Sequence, residues 1–319
     1  MSTAGISGSG LPTSRRTLEY AIVDVFAERA LEGNMLAIFT DARGLTTEQM
    51  QALARETNLS ETTFIVPRDE AVEREQGVQV RIFTTQEELR FAGHPTLGTA
   101  SWLYWNHPVL AGAEKITLEL PVGPIPVRFD APAEGEDGVF GTMRQNDASF
   151  GQVHDPETIS RVLGIPIEDL DTRYPIQTVS TGMAFCIVPL RSVEALGRLA
   201  IPQQVAQTYL DTCDAKFFHC ITPAQDADFR ARMQFYTGED PATGSASGCA
   251  IAWLVRYGLV ESEQQVVIEQ GVEMLRPSRI SVRAKRAIPE AKEFPISDVF
   301  VGGRTIPVAT GRFFLPFPL

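Results

Sequence analysis

Cysteine and histidine are scarce in this chain, with four of each among 319 residues. The cysteines form no C-x-x-C pair, and no metal-ligand spacing relates them to the histidines. The sequence therefore predicts no metal site. We expect reduced thiols, as in a cytoplasmic protein.

Basic runs and long apolar runs are also missing. The formal net charge is −12, so nucleic acid and anionic membranes are poor partners. No apolar run is long enough to span a bilayer. The Ser/Gly/Thr-rich segment Met1 to Arg16 lacks the apolar core of a signal peptide, and we expect it to be a disordered lead-in.

The composition that remains is that of a globular, core-forming protein, with 44% hydrophobic and 21% charged residues. The length indicates two domains of ordinary size. We place one at 17–132 together with about 304–319, and the other at 133–303, with the Pro/Gly/acid-rich segment 131–138 as linker.

The most informative segment runs from Thr237 to Cys249. A Glu-Asp pair and a turn of small residues lead into an apolar helix, and no charge occurs from Pro241 to Val255. The first N–H groups of a helix lack intrahelical partners and attract anions. Asp240 beside a bound anion would be held near its proton-exchange range.

A second segment repeats this pattern, because the turn Phe91 to Thr96 also precedes an uncharged helix, which extends to about Asn106. A helix that is apolar all round is buried. Two such helices among many short strands predict an α+β fold of two pseudo-symmetric halves. Each half is a curved, mostly antiparallel sheet around a central helix, and the two turns would face each other across a cleft.

Four polar residues are candidates for chemistry, and each has a structural alternative. Buried Glu61 would be a general base with a raised pKa, although a solvated glutamate at a strand start fits the spacing better. His94, at a helix start, would stay neutral, or it is a capping or core histidine. Asp240 would be the acid, or it is a residue that caps the helix. We expect the adjacent Glu239 to be solvated. Asn34 lies in a turn or in the wall of a site.

Two nucleotide-binding motifs are excluded at Gly238 to Gly248. A P-loop requires a Lys after its second glycine, and no Lys follows Gly244. The glycine spacing also differs from the dinucleotide fingerprint.

Taken together, these segments resemble the PhzF family of phenazine-biosynthesis isomerases and their relatives, over roughly Leu18 to Arg312. The matching segments occur in the expected order: Val23–Phe26, Leu31–Asn34, Asn58–Thr62, Arg81–Thr84, Glu88–Leu89, Phe91–Thr96 and Gly238–Ala246, with a weaker match at Gln270–Gly271 and Arg276–Ser278. Several ordered motifs are more specific than any one of them.

The resemblance implies the diaminopimelate-epimerase fold and a role for each matching residue. Glu61 corresponds to the proton-shuttling glutamate, His94 to the histidine of the Gly-His-Pro turn, and Asp240 to the acid of the second domain. The groups that hold the substrate carboxylate are implied to be Gly93, Gly244 and Ser245, and we add Asn34 as a substrate-binding residue. Homodimers are common in the family.

Epimerases and racemases of this superfamily use two thiols, one at each helix start. Neither helix-start turn of this chain contains cysteine, and Cys249 lies about one turn further along its helix, where we expect it to be buried. The sequence therefore favours the thiol-free isomerase branch.

We thus predict a cofactor-independent isomerase that shifts a proton on a small unsaturated cyclic or amino carboxylic acid. The reference reaction of the family is trans-2,3-dihydro-3-hydroxyanthranilate isomerisation. A thiol-independent epimerase is the alternative within enzymes. A metabolite-binding protein with a vestigial site would have lost Glu61, His94 or Asp240, and all three are present. The particular substrate is left open, because the loops at 69–77 and 108–113 look inserted and the tail from Phe313 is apolar.

Overall fold

The computed structural model describes residues 16–131, 135, 137–235, 238–287 and 295–315. The lead-in up to residue 15, parts of the linker and the last four residues of the tail lie outside these ranges. Within them, no helix is both long and apolar enough to cross a membrane.

Short strands dominate the described chain. The strands are β1 Thr17–Val25, β2 Asn34–Phe39, β3 Thr62–Val66, β4 Val78–Phe83, β5 Glu88–Leu89, β6 Lys115–Leu120, β7 Gly123–Phe129, β8 Val139–Arg144, β9 Ser149–His154, β10 Ile176–Ser180, β11 Ala184–Pro189, β12 Phe217–Pro223, β13 Phe229–Arg232, β14 Gln234–Phe235, β15 Gly238–Glu239, β16 Val266–Gln270, β17 Ser278–Arg286 and β18 Ile296–Phe314. The α-helices are α1 Thr47–Thr57, α2 Glu70–Gln76, α3 Gly93–Asn106, α4 Pro156–Leu163, α5 Val193–Gly197, α6 Gln203–Leu210 and α7 Gly244–Arg256.

The large sheet forms two curved rings that share β18. In the N-terminal ring, the order β1-β2-β3-β4-β6-β7-β8-β18 closes because β1 also pairs with β18. The C-terminal ring runs β18-β17-β16-β13-β12-β11-β10-β9. A bridge between Ala148 and Ile296 returns its far end to β18. This arrangement confirms the predicted fold of two halves, each a curved sheet around one helix.

The central helices are α3 and α7, and their composition explains their position. Apolar and small residues occupy nearly every face, and most of them are buried. Small residues let the helices approach the surrounding strands closely. A Cβ on Gly98 of α3, for example, would lie 2.7 Å from side-chain atoms of Leu36 and Val25.

Several predicted elements differ from the structure. The sequence pattern predicts two strands, at 299–301 and 304–312, but the structure has one continuous strand, β18. Gly302 and Gly303 do not form a turn; they allow close contact, because a Cβ on them would lie 2.7 Å from the Gly141 carbonyl oxygen and 2.5 Å from Phe26.

Three further differences are smaller. The sequence pattern predicts one strand over 230–236, but β13 ends at Arg232 and β14 begins after Met233. Residue 236 lies outside the described ranges. The segment 69–77, predicted as an inserted loop, contains α2. Strand β9 was not predicted.

Candidate active site

The starts of α3 and α7 lie against each other. A Cβ placed on Gly93 would be 3.7 Å from the backbone nitrogen of Ser245 and 3.9 Å from the carbonyl carbon of Gly244. The N-cap residues Ala92 and Thr243 make no side-chain capping hydrogen bond. The predicted facing of the two turns is therefore present. Two uncapped helix starts at one point favour an anionic ligand.

The candidate catalytic side chains converge beside these helix starts, although they come from different halves. Glu61 precedes β3, His94 lies in the first turn of α3, and Asp240 precedes α7. His94 Nδ1 is 3.7 Å from Glu61 Oε2. The Nδ2 atom of Asn34, at the start of β2, contacts both His94 and Asp240. The fold thus assembles one polar cluster from residues about 180 positions apart.

Asn34 connects the two halves of the cluster. Its Nδ2 group donates to Asp240 Oδ1 at 2.8 Å and to the Ala242 carbonyl at 3.1 Å, and its Oδ1 atom accepts from Ser60 Oγ at 3.3 Å. The amide is therefore engaged by protein groups and holds Asp240. Direct substrate binding by Asn34 stays a prediction.

The two ring nitrogens of His94 have different surroundings. Nδ1 lies 3.4 Å from Asn34 Nδ2 and 3.7 Å from Glu61 Oε2. The buried Nε2 atom has no hydrogen-bond partner among the described residues. A ligand atom would satisfy it.

Burial sets the protonation of all three groups. It raises the pKa of Glu61 to about 7, against a weaker opposing effect from the Ser60 hydrogen bond. Burial likewise lowers the pKa of His94 to about 4 and outweighs the nearby Asp240 charge. Burial, followed by the charge of Glu61, raises the pKa of Asp240 to about 6. Near neutral pH, the cluster contains two carboxyl groups close to proton exchange and a neutral imidazole.

Two neighbouring groups have structural roles. Glu239, expected to be solvated, instead accepts from Arg232 Nε and Nη2, each at 2.7 Å, because buried Arg232 needs a counter-charge. Cys249 is fully buried, as expected. Burial raises the pKa of its thiol to about 11, so thiolate chemistry at α7 is disfavoured.

Sequence reasoning gave no role to three amide and hydroxyl side chains around the cluster. Gln145 donates from Nε2 to the Gly244 carbonyl at 2.9 Å. Thr243 and Gln270 contact Asp240. Thr243 lies within the matching segment Gly238–Ala246 and Gln270 within the weaker match at Gln270–Gly271, but neither match assigns them a role. Gln145 has no such signal, since a buried amide shows neither periodicity nor charge.

One cavity in the described part of the chain lies away from this cluster. It measures about 740 Å³ and lies at the other mouth of the N-terminal ring, beside Glu19, Trp102 and His107. In the candidate site, the His94 and Glu61 side chains are 6% and 19% exposed.

Comparison with known proteins agrees with this architecture. The family model described as phenazine biosynthesis-like protein matches residues 23–311. The trans-2,3-dihydro-3-hydroxyanthranilate isomerase of Pseudomonas aeruginosa is 33% identical over 305 residues, which cover 93% of this chain and 99% of that protein.

Two solved structures extend the comparison. A PhzF-family protein of Bacillus anthracis superposes with a TM-score of 0.81 at 25% identity, covering 94% of this chain and all of the other. A hydroxyproline epimerase from Agrobacterium vitis has a TM-score of 0.61 at 11% identity, covering 97% and 95% of the two chains, and shares the fold. On these grounds the chain belongs to the phenazine biosynthesis-like (PhzC-PhzF) family and is an isomerase.

Proposed function

We propose that this isomerase works without a cofactor and moves a proton along a small unsaturated carboxylic acid. The observation that carries the proposal is the cluster of Glu61, His94 and Asp240 beside two uncapped helix starts. The helix starts suit a carboxylate, and the cluster supplies proton-exchanging groups next to it.

Glu61 is the proposed base. A pKa of about 7 leaves a substantial ionised fraction at neutral pH and makes the protonated form a competent acid. In the reaction, the carboxylate takes a proton from one substrate carbon, and the resulting carboxylic acid returns it at another position. One group therefore serves both steps, and no net proton is gained or lost.

The other residues stabilise the intermediate charge. Removing a proton next to an unsaturated acid leaves enol-like negative charge, which the N–H groups of Gly93, Gly244 and Ser245 would hold together with the carboxylate. His94 accepts or passes a hydrogen at Nε2, the atom without a partner. Asp240 supports the relay from the C-terminal ring.

We propose trans-2,3-dihydro-3-hydroxyanthranilate as the first substrate to assay, because the relative from Pseudomonas aeruginosa bears that name. The purified chain should convert it without added cofactor. Glu61→Gln should lower kcat by about 100-fold to 10,000-fold while KM changes little, because it removes the base but keeps the shape. Glu56→Gln is the control, since the side chain of this α1 glutamate is exposed. Unchanged turnover in Glu61→Gln would exclude the role.

A thiol-independent epimerase is the second candidate. It is supported by the two carboxyl groups, Glu61 and Asp240, which approach the cluster from opposite halves and both have pKa values near neutrality. Such an enzyme would exchange the α-hydrogen of an amino-acid-like substrate with D₂O and interconvert its enantiomers. Isomerisation without racemisation would rule it out.

A further inference from the structure

The carboxylate of Asp240 lies in a small cradle made by two residues without an assigned role. Thr243 is the N-cap residue of α7, and Gln270 ends β16, a strand of the C-terminal ring. Thr243 Oγ1 donates to Asp240 Oδ2 at 2.6 Å. Gln270 Nε2 donates to the Asp240 backbone carbonyl at 2.6 Å and to Thr243 Oγ1 at 2.9 Å.

The direction of these hydrogen bonds follows from the groups themselves. An amide nitrogen only donates, so Thr243 Oγ1 accepts from Gln270 and directs its own hydrogen at Asp240 Oδ2. Gln270 Oε1 accepts from the Thr243 backbone N–H at 3.2 Å, which fixes the orientation of the amide. The result is a polarised chain from Gln270 through Thr243 to the carboxylate.

Both carboxylate oxygens of Asp240 accept from donors, because Asn34 Nδ2 occupies Oδ1 at 2.8 Å. Hydrogen bonds to a charged form favour that form. They oppose burial and the Glu61 charge, which together raise the pKa of Asp240. The other titratable groups nearby are His94, which is neutral, and Glu239, which is bonded to Arg232.

We propose that Thr243 and Gln270 are positioning residues that keep Asp240 ionised and held against Asn34. Gln270 orients the hydroxyl of Thr243, and that hydroxyl stabilises the carboxylate. The part that Asp240 plays in turnover rests on the proposed function, whereas its ionisation can be measured without a substrate.

The test is a pH titration of the Asp240 side-chain carboxyl by ¹³C NMR in protein labelled at aspartate, with the signal assigned from its absence in Asp240→Asn. Thr243→Val keeps the shape and removes the donor, so the midpoint should rise by about one pH unit. Gln270→Met should move it in the same direction by less. Thr243→Ser should restore the wild-type midpoint.

Two matched variants separate this effect from general loss of packing. Thr222→Val removes a buried hydroxyl that has no partner among the described residues. Gln177→Met removes a buried amide that bonds Gly151 and Tyr257 instead. Both should leave the Asp240 midpoint in place.

A midpoint that stays unchanged in both Thr243→Val and Gln270→Met overturns the inference. If Thr243→Val does not fold, Gln270→Met and Thr243→Ser decide the question, and an equal midpoint in Gln270→Met and wild type overturns it. The proposed role of Asp240 in turnover fails separately, when Asp240→Asn retains full turnover. With the expected substrate, the pH–rate profile should contain one limb set by the ionisation of Asp240. In Thr243→Val and Gln270→Met, the apparent pKa of that limb should rise together with the NMR midpoint.

Discussion

At the scale of single residues, burial in the fold changes the protonation of Glu61. The adjacent residues do not distinguish it from a solvated glutamate. Only the resemblance of the segment Asn58–Thr62 to a family motif indicates a catalytic role. Its burial depends on contacts with segments far away in sequence. The raised pKa therefore could not be read from the chain.

The raised pKa of Glu61 predicts a pH-dependent cost in stability. Folding raises this pKa from 4.5 to about 7. The stability that the protonated group contributes is fully present below about pH 4.5 and is lost as the pH rises through about 7. Glu61→Gln cannot ionise, so it should exceed wild type by about 2 kcal/mol at pH 8, a figure discounted for partial exposure.

Urea unfolding at pH 4 and at pH 8 measures this difference. The two proteins should be about equally stable at pH 4. Glu56→Gln should match wild type at both values, because the side chain is exposed. A Glu61→Gln protein less stable than wild type at pH 8 would contradict the raised pKa.

At the scale of elements, the sequence predicts those with strong local signals. The capping box of Thr46 and Gln49 is present at α1, with both reciprocal hydrogen bonds. Asp155 before Pro156 predicts a helix start and Gly164 a helix end, and these two residues cap α4 in the structure. The errors occur where tertiary contact decides. The sequence pattern predicts separate strands on either side of the Gly302-Gly303 pair, yet β18 continues through it because Phe26 and Gly141 pack closely there.

Close packing at α7 gives a second prediction. A Cβ on Gly248 would lie 1.9 Å from Oε1 of Gln145, whose Nε2 group holds the Gly244 carbonyl. Gly248→Ala should therefore destabilise the protein by about 1–3 kcal/mol and weaken substrate binding, since the start of α7 must shift. Chemical denaturation and KM would report the two effects.

Gly197→Ala is the matched control in α5. Its Cβ would meet no atom within 4 Å, so we expect stability equal to or slightly above wild type. Equal stability of Gly248→Ala and wild type would mean that Gln145 can move aside freely.

At the scale of the whole molecule, the two rings are tied beside the candidate site. Arg276, which precedes β17, donates from Nη2 to Asp24 Oδ1 at 2.6 Å and from Nε to the Gly33 carbonyl at 3.0 Å. The Asp24 side chain is 1% exposed. This contact anchors the loop that leads to Asn34. The pairing joins residues 252 positions apart, and local sequence patterns do not contain it.

Breaking this tie tests how the halves are held. Arg276→Met leaves the buried Asp24 carboxylate without its counter-charge, so we expect a loss of about 3 kcal/mol in unfolding free energy. Turnover should also fall, because Asn34 would no longer hold Asp240 in place. Arg43→Met, which breaks an exposed pair with Asp41, should cost less than about 1 kcal/mol. A similar small cost for both variants would contradict the account of the tie.

The most direct test of the central claim is a crystal structure of the Glu61→Gln variant with trans-2,3-dihydro-3-hydroxyanthranilate bound. We expect the substrate carboxylate to lie within about 3 Å of the N–H groups at the two helix starts, Gly93 and Gly244 to Ser245. A reacting carbon should face the position 61 side chain, and a polar atom should reach His94 Nε2. Binding only in the cavity at the other mouth of the N-terminal ring would contradict the account.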